Sequence, residues 1–149
     1  VIGRNKEKLS RLQNKNKQIH PLAVDYYDTY RLQEKLRQSI AERGPYKLVV
    51  AWIHSNDKEI LAIIANEIKG ESWELFHVLG SSSRLDEIMR EVEGLANCEY
   101  HQVQLGFIIE DHRSRWLTHE EISRGVIESI RTKAKRNVVG TLNPWDMRP

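Results

Sequence analysis

The chain has 149 residues, of which 40% are hydrophobic and 30% are charged, with a formal net charge of +2. This length corresponds to one domain of ordinary size, and the single cysteine, Cys98, excludes an internal disulfide framework and a four-cysteine zinc site. No apolar run reaches the roughly 20 residues of a membrane-spanning helix, and from the pattern of the first residues we expect no secretory leader. We therefore expect a cytoplasmic, globular protein without membrane contact.

Positive charge is concentrated at two places. Residues 1–20 carry a net charge of +5 and the remaining residues a net charge of −3. The basic side chains in question are Arg4, Lys6, Lys8, Arg11, Lys15 and Lys17 in the first segment and Arg131, Lys133, Lys135 and Arg136 in the second. They are candidate nucleic-acid contacts. The alternative, which we favour, is a solvated arm plus cations that complement a helix C-terminus, because no aromatic residue in the first segment could stack on a base.

Pro21 separates this basic arm, residues 1–21, from a predicted single α/β domain over 22–149. Apolar side chains at spacings of three and four predict a helix over 22–43, which Gly44 ends. Three tyrosines of that helix, Tyr26, Tyr27 and Tyr30, form an aromatic stripe that we interpret as a packing face rather than a stacking platform. A homo-oligomer or a protein partner would assemble through helix 22–43.

The rest of the chain alternates between strand and helix patterns. The run 46–53 is apolar on both faces and predicts a covered strand. We favour a helix over 58–68, with an antiparallel hairpin at 47–66 as the alternative. Further strands are predicted at 73–79, 99–109 and 137–142, and further helices at 85–92 and behind the capping box of Thr118 and Glu121. This order predicts an α/β fold: a small three-layer, mostly parallel sheet of three to four strands with helices on both faces.

Ligands of parallel sheets bind outside the carboxyl ends of the strands, at a switch in strand order. A strand order of 2-1-3-4 would open a crevice between the first and third strands, where the polar segments 54–57 and 110–113 would face each other. The loop 80–84 is the best anion candidate, because its glycine allows close backbone approach and the following helix presents unpaired N–H groups. The predicted ligand-binding residues are Asn56, Ser81, Ser82, Ser83, Arg84 and Arg113. An ordinary serine cap is the better-supported alternative, because the loop lacks the phosphate-loop lysine and the spaced glycines.

Two histidine–carboxylate pairs are candidates for proton transfer near neutral pH. They are His54 with Asp57, and Asp111 with His112. The alternatives are a helix cap for Asp57 and a polar strand end for His54. No histidine pair has a zinc-binding spacing such as HExxH, so no metal is expected, and the cofactor stays unknown. Histidines 77 and 101, inside predicted strands, are expected to be hydrogen-bonded structural residues.

These observations predict an intracellular binding or regulatory module for a nucleotide-like or other anionic ligand, or for a protein partner. One alternative is a hydrolase that acts on a phosphate- or nucleoside-containing substrate. Another is a nucleic-acid-binding protein that uses the basic arm and residues 131–136. The pattern leaves open whether the chain is an enzyme.

Overall fold

The computed structural model describes residues 1–54, 57–68, 70 and 72–149, with the backbone alone described at Asp57. Contacts divide the chain into two compact units. The amino-terminal unit comprises Val1–Tyr46 and Lys58–Lys69, and the sheet unit comprises Lys47–Asp57 and Gly70–Pro149. The predicted division into an arm of 1–21 and a domain of 22–149 stays a prediction.

The amino-terminal unit is mostly helical. Its elements are β1 (Ile2–Gly3), α1 (Lys6–Lys15), β2 (Leu22–Ala23), α2 (Thr29–Arg43) and nearly all of α3 (Asp57–Glu67). Strands β1 and β2 pair in parallel. Helix α1 starts where the side chain of Asn5 accepts a hydrogen bond of 2.9 Å from the backbone of Lys8, and it buries Leu9.

Two predictions for this unit are corrected and one is confirmed. The helix predicted over 22–43 begins only at Thr29, because Leu22 and Ala23 pair as β2 and Asp28 caps α2. Its buried face carries Leu32 and Leu36, whereas Tyr30 is 77% exposed, so the tyrosine stripe is not the packing face. Residues 57–67 are helical, which confirms the favoured interpretation and shows the hairpin at 47–66 to be wrong.

The sheet unit contains four parallel strands. They are β3 (Leu48–Ala51), β4 (Trp73–Leu79), β5 (Cys98–Leu105) and β8 (Arg136–Val139), in the order β3-β4-β5-β8. Helices α4 (Leu85–Val92) and α5 (His119–Thr132) connect them. The predicted α/β class, a mostly parallel sheet flanked by helices, is thereby confirmed. None of the helices among the described residues is both long and apolar enough to cross a membrane.

The predicted strand order, 2-1-3-4, is wrong. The four strands of the sheet lie side by side in the order in which they occur along the chain, so the order never reverses within the described sheet. The first and third strands, β3 and β5, are separated by β4. The crevice expected between them therefore does not form.

The strand predicted over 99–109 is also divided. It breaks at Gly106, where a Cβ atom would lie 2.1 Å from the carbonyl oxygen of Thr141. The chain continues as a separate antiparallel hairpin of β6 (Phe107–Glu110) and β7 (Arg113–Trp116). Its turn residues, Asp111 and His112, have φ values of 50° and 61°, a left-handed conformation typical of tight hairpin turns.

The apolar core of the sheet unit lies between the strands and α5. Buried side chains from β4, β5 and β8 pack against partly buried side chains of α5 and the residues before it. The buried set is Phe76, Val78, Val103, Leu105 and Val139, and the covering set is Leu117, Ile122, Val126 and Ile130.

After β8, a short 3-10 helix (Trp145–Met147) precedes the end of the chain, where the guanidinium of Arg148 lies 5.2 Å from the ring centre of Trp116 and 4.9 Å from that of Trp145.

Candidate functional site

The loop Gly80–Arg84 leaves the carboxyl end of β4 and leads into α4. A side chain of the neighbouring strand supports it. Gln104 of β5 is 5% exposed, and its side-chain nitrogen donates to the carbonyl oxygens of Gly80 at 3.4 Å, Ser81 at 3.1 Å and Ser83 at 3.2 Å. The register of the parallel strands, in which Gln104 pairs with Leu79, brings the amide directly below the loop. The loop conformation is therefore fixed from within the sheet.

These contacts also decide where the backbone N–H groups of the loop point. In a planar trans peptide, the carbonyl and the following N–H point in opposite directions. The carbonyls that turn toward Gln104 thus direct the N–H groups of Ser81, Ser82 and Arg84 away from it. Within the described ranges, no backbone carbonyl accepts a hydrogen bond from these three N–H groups. Successive outward N–H groups form a concavity that suits an anion.

Gln102 supports the start of α4 in the same way. It is completely buried, and its side-chain nitrogen donates to the carbonyl of Leu85, the first residue of α4, at 2.8 Å. Gln102 and Gln104 lie on the same face of β5 because side chains alternate along a strand. Neither residue was identified from the sequence. The signal that the sequence offered was two glutamines, spaced by two, on either side of Val103 in a predicted strand.

The side chains near the loop include a cation that favours an anionic ligand and carboxylates that disfavour one. Arg84 is exposed, and its guanidinium donates to Glu87 at 3.0 Å. Asp86 and Glu87 place two carboxylates in the first turn of α4, where they compete with an anionic ligand for the helix terminus. Exposed pairs such as Arg84–Glu87 contribute little stability, so an incoming phosphate can displace Glu87 from Arg84.

The predicted ligand-binding residue Arg113 lies on a different element from this loop. Arg113 pairs with Glu110 in the hairpin of β6 and β7, beyond the carboxyl end of β5. Asn56 lies outside the described residues. The predicted roles of Ser81, Ser82, Ser83 and Arg84 in binding stay predictions.

The four candidates for proton transfer lie on three different elements. His54 is exposed after β3, with its ring centre 5.7 Å from that of Trp52. Asp57 begins α3, while Asp111 and His112 are exposed in the hairpin turn. In the part of the chain that the structure describes, neither His54 nor His112 has an ion pair with a carboxylate. Proton transfer by these residues stays a prediction.

The second basic cluster is neutralised within the sheet unit. Each of its four cations lies beside a carboxylate: Arg131 with Glu128 at 3.6 Å, Lys133 with Glu74 at 3.0 Å, Lys135 with Glu99 at 3.6 Å, and Arg136 with Asp86. The hydrogen bond to Glu74 raises the pKa of Lys133. These pairs reduce the positive field that a polyanion would meet.

In the first basic segment, Arg4 lies 3.6 Å from Asp25 and Arg11 pairs with Glu7. The remaining cations of that segment, Lys6, Lys8, Lys15 and Lys17, are exposed. Nucleic-acid binding stays a prediction, as does assembly through α2.

Both strand histidines are completely buried and hydrogen-bonded, as predicted. The Nδ1 atom of His77 lies 2.9 Å from the hydroxyl of Tyr100. The Nδ1 atom of His101 lies 3.0 Å from the carbonyl oxygen of Ala134, and the His101 ring stacks on Phe76 with centres 4.4 Å apart.

Comparison with known proteins supports the fold class. No protein-family model and no curated protein matches the chain. Among solved structures, a short-chain dehydrogenase from Streptomyces avermitilis is similar, with a TM-score of 0.58 over 93% of this chain and 77% of that chain, at 12% sequence identity. Similarity at this level of identity concerns the fold alone. The chain thus has an α/β, Rossmann-like fold.

Proposed function

We propose that the protein binds a nucleotide at the carboxyl edge of its parallel sheet, with the phosphate held by the loop Gly80–Arg84. The observation that carries this proposal is the side-chain amide of Gln104, which donates to three carbonyls of the loop. It leaves the N–H groups of Ser81, Ser82 and Arg84 directed outward as anion donors. The hydroxyls of the serines and the guanidinium of Arg84 add further donors at the same place.

The choice of ligand class has two supports. Ligands of open α/β sheets bind outside the carboxyl ends of the strands, which is where this loop lies. The similar solved structure is a dehydrogenase, and dehydrogenases of doubly wound folds use nicotinamide dinucleotides. NAD⁺ and NADP⁺ are therefore the first ligands to test.

At the neighbouring strand end, the ring of Trp52 is 44% exposed and offers a surface on which a base or nicotinamide ring can stack.

Isothermal titration of the full chain with NAD⁺, NADP⁺, ATP and inorganic phosphate tests the proposal. We expect Arg84→Ala to weaken binding about tenfold, the loss typical of one hydrogen bond to a charged group. We expect Glu87→Gln to strengthen binding a few-fold, because it removes the carboxylate that competes for Arg84. Arg90→Ala, a change of the same kind on an exposed position of α4, is the control. Failure of all four ligands to bind, or equal affinities for the wild type and Arg84→Ala, would refute this assignment.

A further inference from the structure

A second group of polar side chains lies at the opposite, amino-terminal end of the sheet. Glu74 is the second residue of β4 and Glu99 is the second residue of β5, and the strand register pairs them directly. His101 follows Glu99 by two residues and therefore lies on the same face of β5. One ligand atom from each of the three residues lies within 4.8 Å of the other two. Two like charges paired across neighbouring strands are unfavourable unless a cation compensates them.

The hydrogen bond of His101 determines the tautomer of its ring. It therefore determines whether the nitrogen that faces the carboxylates carries a lone pair. Its Nδ1 atom lies 3.0 Å from the carbonyl oxygen of Ala134. A carbonyl only accepts, so Nδ1 carries the hydrogen and the Nε2 atom of the neutral ring carries the lone pair. This Nε2 atom lies 3.7 Å from Oε1 of Glu99 and 3.9 Å from Oε2 of Glu74. These distances are too long for hydrogen bonds.

Two of these atoms are both buried and unsatisfied. His101 is completely buried, and across the described residues neither its Nε2 atom nor Oε2 of Glu74 has a hydrogen-bond partner. Lys133 binds the other oxygen of Glu74 at 3.0 Å, and Lys135 lies 3.6 Å from Glu99. Both lysines are more than half exposed. They satisfy the solvent side of the carboxylates, but Oε2 of Glu74 and Nε2 of His101 still face each other.

We propose that Glu74, Glu99 and His101 bind a divalent transition-metal ion of the Zn²⁺ or Mn²⁺ class. The ligand atoms are Oε2 of Glu74, Oε1 of Glu99 and Nε2 of His101. Ligand atoms about 2.1 Å from a tetrahedral zinc ion are about 3.4 Å from one another. The Nε2 atom of His101 lies 3.7 Å from the Glu99 oxygen and 3.9 Å from the Glu74 oxygen. Side-chain shifts of a few tenths of an ångström would therefore bring the three atoms to the separation that zinc requires. An Nδ1–H bonded to a backbone carbonyl is the usual orienting contact of a metal-binding histidine.

This site departs from the expectation of no metal. Its ligands come from two strands, and Glu74 and Glu99 are 25 positions apart in the sequence. No local spacing of residues therefore indicates a metal site. Because three protein ligands leave coordination positions for water, the ion is open to solvent on the side where Glu99 is 48% exposed.

Titration of the chelator-stripped full chain with Zn²⁺, and separately with Co²⁺ followed by its visible absorption bands, tests the site. We expect one ion per chain and a change of the His101 ring signals in nitrogen-15 NMR. Glu99→Gln, which keeps the shape of a half-exposed side chain, is expected to lower Zn²⁺ affinity at least about tenfold. Lys135→Met removes a competing cation and is expected to raise affinity about two- to fivefold.

Glu91→Gln, an exposed glutamate of α4, is the matched control and is expected to bind as the wild type. The same Zn²⁺ affinity for the wild type and Glu99→Gln would overturn the proposal, and so would a lack of binding above that of an unrelated control protein. A proton or a water molecule on Nε2 would then account for the buried atoms. The nucleotide proposal concerns the other end of the strands and is unaffected by either result.

Discussion

Replacement of Gln104 by methionine tests the support of the loop directly. Methionine keeps the length and burial of the side chain but removes both N–H donors, which serve three carbonyls of Gly80, Ser81 and Ser83. Each hydrogen bond contributes a net of about 0.5–1.5 kcal/mol to the free energy of unfolding. The loss of two N–H donors should therefore lower it by about 1–3 kcal/mol. The loop is partly exposed, so its carbonyls can turn to water, and we expect the lower half of this range.

Urea unfolding followed by circular dichroism measures this loss as a lower midpoint with an unchanged slope. For a chain of this length, about 1–2 kcal/mol corresponds to a decrease of roughly 2–8 °C in Tm. The amide of Ser83, which donates to Gly80 at 3.1 Å, should exchange faster with solvent. Gln38→Met, the same change at an exposed position of α2, should alter stability by less than about 0.5 kcal/mol. An unchanged midpoint and unchanged exchange for Gln104→Met would show that the amide does not hold the loop.

Three further predictions concern α5. Thr118→Ala removes the cap that accepts from Glu121 at 3.2 Å and should cost about 1 kcal/mol in thermal unfolding, whereas Thr118→Ser should retain most of it. Hydrogen bonds from Arg115 and Thr118 lower the pKa of Glu121 to about 2. Because this pKa is depressed in the folded state, its stabilising contribution is present above the usual pKa near 4.5 and is lost as the pH falls toward 2; the advantage of wild type over Glu121→Gln in urea should disappear over that range. Gly125→Ala places a Cβ atom 2.4 Å from Val139, and the overpacking, about 1–3 kcal/mol, should exceed the gain of about 1 kcal/mol in helix propensity; a more stable variant would mean that Val139 moves aside.

Features that depend on nearby residues were predictable from the sequence. The capping box of Thr118 and Glu121 forms as predicted, with reciprocal hydrogen bonds of 3.2 and 2.8 Å. Strand β4 has the predicted bounds, because its mostly apolar segment lies between Ser72 and Gly80. The helix over 57–67 follows from the spacing of its aliphatic residues. In each case the signal lies within one or two turns of chain, where propensity and pattern agree.

Features that depend on distant residues were not predictable. The strand pattern after Cys98 continues to Ile109, yet the strand ends at Gly106 because the backbone of Thr141 passes within contact distance. Periodicity carries no information about an approach between positions 35 residues apart. For the same reason the pairing of Glu74 with Glu99 could not be inferred before the register of the strands was known.

The error in strand order and the failure to identify Gln104 have the same origin. In a 2-1-3-4 order the third strand would lie beside the first, and the side chain of Gln104 would be one strand away from the loop Gly80–Arg84. In the consecutive order β5 lies beside β4, and Gln104 reaches three carbonyls of that loop. The consecutive order also removes the switch point at which open α/β sheets usually bind their ligands. Binding at this edge therefore depends on the conformation that Gln104 imposes on the loop, because no crevice between diverging strands is present in the described sheet.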